Sequence, residues 1–222
     1  MKPFDNVQSV AASINENDLD TDIIFPARFL LLLDKKGLGE HAFHERRAAP
    51  DTAPFVLDLP PFDKAEILVA ARNFGTGSSR EQAVWALADF GIRVVIAESF
   101  GEIFYANCFK NGVLPIAADK EDLMRIRASA EAGEMLTVDL LTQSITLTSG
   151  PVISFDIPPH RKEALLRGLD DIGSILANDA DDIAAFEQGQ RQKTPWLYLS
   201  TEQLSYFNDL ERETALGRPG KP

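Results

Sequence analysis

The 222-residue sequence predicts an α/β fold with a mixed sheet and flanking helices. Between residues 67 and 132, apolar runs typical of buried strands alternate with helical patterns, and this order favours parallel strands joined by right-handed crossovers. After Gly133 the apolar residues recur at every second position, which indicates antiparallel strands separated by short turns. The sheet is therefore expected to be parallel in one part and antiparallel in another.

The N-terminal part of the chain is predicted to be less regular. A first strand is expected around residues 7–14, and a polar turn, a short apolar run and a proline follow over residues 20–28. Residues 31–61 are rich in Asp, Pro, Gly, His and Arg, which predicts a mobile surface segment with short helices.

Regular elements are predicted from residue 67 to residue 188. The predicted strands cover residues 67–71, 93–97, 113–116, 135–141, 144–148 and 152–157, and the predicted helices cover residues 79–90, 100–111, 120–132, 161–168 and 180–188. The length and the 45% hydrophobic content fit one large domain over residues 1–189, followed by a polar C-terminal extension over residues 190–222.

Charge and cysteine content limit the class of protein. The formal charge of −12 argues against nucleic acid and anionic membranes as partners. No apolar run reaches transmembrane length, and the N-terminal residues lack the apolar core of a signal peptide. The single cysteine, Cys108, excludes internal disulfides and any iron–sulfur or Cys-rich zinc site held by this chain alone, so a reducing, cytoplasmic location is expected. Cys108 is expected to be a buried small hydrophobe, and His41 and His44 are expected to be solvated.

The most informative segment is residues 73–82, with the sequence NFGTGSSREQ. Its two glycines allow a sharp turn between a predicted strand and a predicted helix, and they also allow close approach of a ligand. One of its two serines is expected as the helix N-cap, and free N–H groups at the helix start favour an anion. Arg80 adds a forked cation suited to a carboxylate or phosphate. The segment therefore predicts a site for a small anionic substrate, with a hydroxyl placed where chemistry can occur.

These residues also admit plainer interpretations. The segment could be only a strand-to-helix turn, Arg80 and Arg28 could be surface ion-pair partners, and Asp20 and Asp22 could cap the polar turn. Two other phosphate-binding motifs are disfavoured. A Rossmann fingerprint needs a third glycine where Arg80 stands, and the Gly-Lys-Ser/Thr ending of a Walker loop is absent.

Four sequence blocks resemble the family of 3-isopropylmalate dehydratase small subunits, which are related to aconitase. The blocks are, in chain order, DTDIIFPARFL (residues 20–30), NFGTGSSRE (73–81), SFGEIFYANCFKNGVLP (99–115) and GLDDIG (168–173). The resemblance covers roughly residues 5–188. It implies the swivelling β/β/α fold of the aconitase C-terminal domain, with a mobile specificity loop over about residues 30–61.

The same resemblance implies roles for individual residues. Ser78 matches the serine that acts as a base in its alkoxide form, and Arg80 matches the arginine that clamps a substrate carboxylate. The substrate-binding positions implied in this way are Gly77, Ser79, Arg28, Asp22 and Thr76.

The family reaction is a hydro-lyase isomerisation of 2-isopropylmalate and 3-isopropylmalate, by dehydration and rehydration, in leucine biosynthesis. Its Lewis acid is a [4Fe–4S] cluster, so the resemblance implies a cluster-bearing large subunit as an obligate partner. Self-association of the isolated chain is left open. The family pattern has cysteine and histidine where this chain has Thr76 and Gln82. The alternatives are therefore a small subunit for homoaconitate, citraconate, methylmalate or dimethylmalate chemistry, or a non-catalytic paralogue with a binding role.

Overall fold

The computed structural model describes residues 1–32, 34–48 and 53–205, and a seven-stranded mixed sheet lies at its centre. The strands are β1 (Val7–Ser13), β2 (Ile67–Val69), β3 (Val94–Ala97), β4 (Leu114–Ala117), β5 (Met135–Asp139), β6 (Ser144–Thr146) and β7 (Ile153–Ser154). They follow the order β4-β3-β2-β1-β5-β6-β7. Strands β1 to β4 pair in parallel, and the pairs β1–β5, β5–β6 and β6–β7 are antiparallel. The predicted mixed sheet is confirmed.

Helices connect the parallel strands and follow the antiparallel ones. They are α1 (Thr21–Ile24), α2 (His44–Arg47), α3 (Gln82–Phe90), α4 (Glu102–Lys110), α5 (Lys120–Glu131), α6 (Pro159–Arg167), α7 (Asp171–Asn178) and α8 (Ala180–Lys193). Short 3-10 helices cover Ala27–Phe29, Leu38–His41, Val56–Asp58, Phe62–Lys64 and Pro195–Leu197. None of the helices in the described ranges is long and apolar enough to cross a membrane.

The parallel strands are buried on both faces, as strands covered by helices on each side must be. On one face, Leu68 and Val95 belong to a buried cluster that includes Leu87 of α3 and Cys108 of α4. On the other face, the neighbouring strand residues join a second cluster with Leu123 and Ile126 of α5. Two layers of apolar packing therefore fix the strands from both sides, and the ends of the strands become a rigid base for the loops that follow them.

Two differences from the predicted helices have local physical causes. Helix α3 begins at Gln82 and not at residue 79, because the Ser78 hydroxyl accepts from the N–H of Arg80 and the first helical hydrogen bonds are accepted by the carbonyl of Glu81. The expectation that Ser78 or Ser79 is the N-cap is therefore wrong. Helix α7 was not predicted, and Asp170 starts it by accepting from the N–H of Gly173 at 2.7 Å.

The chain divides into a unit of residues Met1–Ser174 and a second unit that begins at Ile175. Residues 33 and 49–52 of the predicted specificity loop and residues 206–222 of the predicted C-terminal extension lie outside the described residues. The domain boundary at residue 189 and the mobility of the loop stay predictions. In the described part of the loop, Phe43 is buried and its N–H donates to the carbonyl of Ile24 at 2.8 Å.

Candidate active site at the ends of the parallel strands

The segment after β2 lies between the segments that follow β1 and β3. The N–H of Gly75 donates to the carbonyl of Leu19 at 2.8 Å, and the N–H of Thr21 donates to the carbonyl of Thr76 at 3.0 Å. On the other side, the N–H of Phe74 donates to the carbonyl of Ser99 at 3.0 Å. The carboxyl ends of three neighbouring parallel strands therefore meet here, which is where open α/β sheets bind their ligands.

Gly75 is required by both its backbone conformation and its neighbour. Its φ is +74°, and a Cβ at this position would lie 2.2 Å from Cγ of Phe104. The Phe104 ring is fully buried and packs edge-on against the ring of Phe74. The turn can therefore approach α4 closely only because residue 75 has no side chain.

We expect Gly75→Ala to lower the free energy of unfolding by about 2–5 kcal/mol, the sum of a left-handed backbone cost and overpacking against a buried ring. Gly133→Ala is the matched control, because Gly133 has φ +70° but nothing within 4 Å of its Cβ position. The control should lose only about 1 kcal/mol, the backbone part of the cost. Denaturant unfolding of both variants measures the difference, and equal losses would contradict the close packing of Gly75 on Phe104.

Ser78 and Arg80 form a tight pair. The Ser78 Oγ accepts from the backbone N–H of Arg80 at 3.1 Å and from its Nε–H at 2.8 Å. Both donors direct positive charge at the same oxygen. At an effective dielectric constant near 20, a guanidinium about 4 Å from an alkoxide lowers the alkoxide's free energy by about 4 kcal/mol. The geometry thus stabilises an alkoxide at this position relative to one in water, less the share of the guanidinium charge that Asp22 neutralises.

Asp22 holds the far end of the same guanidinium. Its Oδ1 accepts from Arg80 Nη2 at 2.7 Å, and the Arg80 side chain is 28% exposed. Within the described ranges, Arg80 Nη1 has no hydrogen-bond partner. The same bond fixes the direction of the guanidinium, and the substrate-binding role expected of Asp22 stays a prediction.

Free backbone donors surround this pair. Considering the described residues only, the N–H groups of Gly77, Ser78 and Ser79 donate to no protein acceptor. Gly77 has φ +100° and is exposed, as is Ser79. Successive free N–H groups in a turn with a left-handed residue form a concavity that suits an anion. These free donors lie in the turn before α3 and not in the first turn of the helix, and their binding of an anion stays a prediction.

The two positions that depart from the family pattern lie at the edges of this turn. Thr76 is half-buried, and its backbone forms a parallel bridge with Asp20. Asp20 in turn caps α1, because its Oδ1 accepts from the N–H of Ile23 at 2.8 Å. Gln82 is half-buried at the first position of α3. In the sequence, Thr76 is two residues before Ser78, and Gln82 is two residues after Arg80.

Arg28 takes part in a separate cluster. It forms an ion pair with Glu45, and its guanidinium lies 4.9 Å from the centre of the Phe29 ring. The ring of His41 stacks on the Phe29 ring at 4.1 Å between centroids, and the ring of His44 meets its edge at 5.0 Å. The structure does not bond Arg28 to Ser78 or Arg80, so its substrate-binding role stays a prediction. The two histidines are half-buried against Phe29 and are not simply solvated.

The described residues contain no cluster of three or more His, Cys, Asp or Glu side chains that could hold a metal ion. Cys108 is fully buried, as expected, and burial raises the pKa of its thiol well above the ordinary value. A neutral buried thiol does not match the thiolate that iron–sulfur clusters require.

Asp18 and Asn73 meet at this edge in a contact that the sequence did not predict, although Asn73 begins the segment of residues 73–82. Both have left-handed backbones, with φ of 57° and 58°. The Asn73 Nδ2 donates to Asp18 Oδ1 at 2.8 Å, and the Asn73 N–H donates to Ser99 Oγ at 2.9 Å. The available signal was the position of an Asn or Asp just past a strand end, because these residues tolerate the left-handed region best.

Comparisons with known protein families match three parts of the chain. Residues 1–121 match the aconitase C-terminal domain, and residues 124–159 match the family described as LeuD_N. Residues 171–200 match the C-terminal domain of the 3-isopropylmalate dehydratase small subunit.

Individual proteins give the same result. The 3-isopropylmalate dehydratase small subunit of Ruegeria sp. (strain TM1040) is 48% identical in an alignment of 202 positions that covers 89% of this chain and 100% of the relative. That of Paramagnetospirillum magneticum is 47% identical with the same coverage. Among solved structures, the 3-isopropylmalate dehydratase of Methanocaldococcus jannaschii aligns with a TM-score of 0.63 and 27% identity, covering 81% of this chain and 99% of that one. These relatives agree with the family and the fold that the resemblance implied.

Proposed function

The chain belongs to the family of 3-isopropylmalate dehydratase small subunits, and on this premise we propose that Ser78 and Arg80 supply the small-subunit half of that enzyme's active site. The reaction is the interconversion of 2-isopropylmalate and 3-isopropylmalate by loss and re-addition of water. The observation that carries the proposal is the Ser78 Oγ, which accepts two N–H groups of Arg80 at 2.8 and 3.1 Å.

Ser78 is the base of this proposal. Its alkoxide takes the proton from the substrate carbon next to the one that bears the hydroxyl. The C–H electron pair becomes the second bond of the alkene as the hydroxyl leaves. Water then adds back in the opposite sense, with Ser78 returning the proton to the carbon that first carried the hydroxyl. A serine hydroxyl is a weak base on its own, so the two donors of Arg80 are needed for this role.

Arg80 and the free backbone donors hold the substrate. One edge of the guanidinium faces Ser78 and its tip faces Asp22, so the remaining N–H groups at the tip can bind a carboxylate. The N–H groups of Gly77, Ser78 and Ser79 would donate to oxygens of the same substrate carboxylate or of the second one. Substrate and base are thus positioned by one short turn.

The rest of the site would come from the large subunit. Elimination of a hydroxyl needs a Lewis acid, which in this family is a [4Fe–4S] cluster. This chain does not fit such a cluster, because its single cysteine is buried with a raised thiol pKa. The cluster is therefore assigned to the partner, and the proton transfer is assigned to Ser78 of this chain.

A related substrate is the second candidate, and Thr76 and Gln82 favour it. They replace a thiol and an imidazole of the family pattern within one turn of Ser78. Homoaconitate, citraconate, methylmalate and dimethylmalate chemistry shares the dicarboxylate group and differs in the substituent beside it. The same two carboxyl contacts could therefore serve any of these substrates.

The test is anaerobic reconstitution with the large subunit that matches this chain. We expect isopropylmalate isomerisation only when both subunits are present, with each subunit alone as the control. The other malates are assayed in parallel, and a higher kcat/KM for one of them would favour the second candidate. A complex that forms but turns over none of these substrates would contradict both and favour a non-catalytic binding role.

A further inference from the structure

Asn73 connects the three segments that follow the parallel strands. Its side chain donates to Asp18, which follows β1, at 2.8 Å. Its backbone N–H donates to the hydroxyl of Ser99, which follows β3, at 2.9 Å. The next residue, Phe74, continues this contact by donating its N–H to the carbonyl of Ser99 at 3.0 Å. Asn73 is thus the first residue of the reactive turn and is bonded to the segments on both sides of it.

The contact with Asp18 is a hydrogen bond from a neutral amide to a carboxylate. The hydrogen bond from Asn73 is the largest cause that lowers the pKa of the Asp18 carboxyl, and the charge of Arg72 adds to it. Arg72 also donates from Nη2 to Asp18 Oδ2, at 3.2 Å, but this ion pair is more than half exposed. Both contacts are exposed, but the Asn73 hydrogen bond is the shorter, at 2.8 Å against 3.2 Å, so it is the better formed of the two side-chain contacts.

The backbone conformation also favours Asp and Asn at these two positions. Both Asp18 and Asn73 are in the left-handed region, which most side chains avoid and which Asn and Asp tolerate. Left-handed residues of this kind persist only where their surroundings hold them. Here the side-chain bond between Asn73 and Asp18 adds to a backbone bond from the N–H of Asp18 to the carbonyl of Arg72, at 2.9 Å.

From this geometry we infer that Asn73 is a positioning residue for Ser78 and Arg80, acting through its bonds to Asp18 and Ser99. The inference rests on the proposed function, because it assumes that Ser78 and Arg80 are the reacting and binding groups. Ser78 follows Asn73 closely in the same turn, and loss of either bond would let the start of the turn shift. A shift of about 1 Å at a reacting group can cost about 100-fold in rate.

The experiment uses the reconstituted complex and exchanges the carboxylate and the amide between positions 18 and 73. Asn73→Asp keeps the size of the side chain and its tolerance of the left-handed backbone, but it places a carboxylate against Asp18. We expect kcat to fall by about 10- to 100-fold. KM should rise by a smaller factor than kcat falls, because Arg80 keeps its charge in the site while proton transfer depends more steeply on the position of Ser78. The double variant Asp18→Asn with Asn73→Asp restores one donor and one acceptor, and should recover most of the lost kcat.

Two controls separate positioning from stability. Arg72→Gln removes the exposed ion pair to the same carboxylate and should leave kcat unchanged. The Asn73→Asp chain should unfold at nearly the same temperature as the unmodified chain and bind the large subunit equally well. If Asn73 served only the stability of the fold, a large loss of kcat would come with a loss of one of these two properties. The inference is overturned if Asn73→Asp keeps its kcat, if its kcat loss follows its loss of folding, or if the double variant is no better than the single one.

Failure of this inference and failure of the proposed function give different results. If only the positioning role is wrong, Ser78→Ala is inactive while Asn73→Asp is active. If the proposed function is wrong, Ser78→Ala is as active as the unmodified complex, or the unmodified complex is itself inactive.

Discussion

Replacing Ser78 by alanine should abolish turnover while leaving association with the large subunit intact. The Ser78 Oγ is the acceptor for two N–H groups of Arg80, and among the described residues no other hydroxyl has both contacts. Removing the oxygen removes the proposed base, whereas the backbone at this half-buried position tolerates alanine. Anaerobic steady-state assays measure the turnover, and size-exclusion chromatography of the mixed subunits measures association.

Ser149→Ala is the control for this variant, because Ser149 is an exposed serine between β6 and β7. It should keep the full activity of the complex. A Ser78→Ala complex with substantial activity would exclude Ser78 as the base. Loss of association in place of activity would assign Ser78 a structural role in the subunit interface.

Replacing Arg80 by lysine should cost about 2–4 kcal/mol of transition-state stabilisation, the range for removing a charged active-site donor. This corresponds to a loss of about 30- to 1000-fold in kcat/KM. A lysine keeps the charge but loses the fork, so a single ammonium cannot face Ser78, Asp22 and a substrate carboxylate in fixed directions. Both kcat and KM should change, because Arg80 serves the base and the bound substrate together.

Arg125→Lys is the matched control for the loss of a guanidinium. Arg125 forms two exposed ion pairs on α5, with Glu121 and Asp122, and such pairs contribute little. Its kcat/KM should equal that of the unmodified complex. If Arg80→Lys also kept near-normal kcat/KM, Arg80 would not be the carboxylate clamp.

Much of the fold could be predicted because its signals are local. The change of apolar period at Gly133 separates the parallel from the antiparallel part of the sheet, and each strand can be recognised from its own residues. The exceptions are short or depend on one side chain. Helix α7 depends on the Asp170 cap, and the start of α3 depends on a hydroxyl that bonds back along the turn.

The residues of the site could be predicted from the sequence, but the contacts between them could not. The glycines, the serines and Arg80 lie in one stretch of sequence, so their chemistry could be inferred together. The pair between Asp22 and Arg80 joins residues 58 positions apart, and the pair between Asp18 and Asn73 joins residues 55 positions apart. Neither can be inferred from spacing, because each depends on which strand ends the fold places side by side.

Incorporation of solvent deuterium into the substrate tests the role of Ser78 most directly, because it reports proton transfer at carbon separately from net isomerisation. The reconstituted complex is incubated with 3-isopropylmalate in deuterium oxide, and deuterium at carbon is followed by mass spectrometry. Deuterium reaches carbon when the Ser78 hydroxyl exchanges with deuterium oxide after it has taken the substrate proton, so we expect incorporation with the unmodified chain and none above the rate of the large subunit alone with Ser78→Ala. Incorporation at the unmodified rate in the Ser78→Ala complex would contradict the assignment of Ser78 as the base.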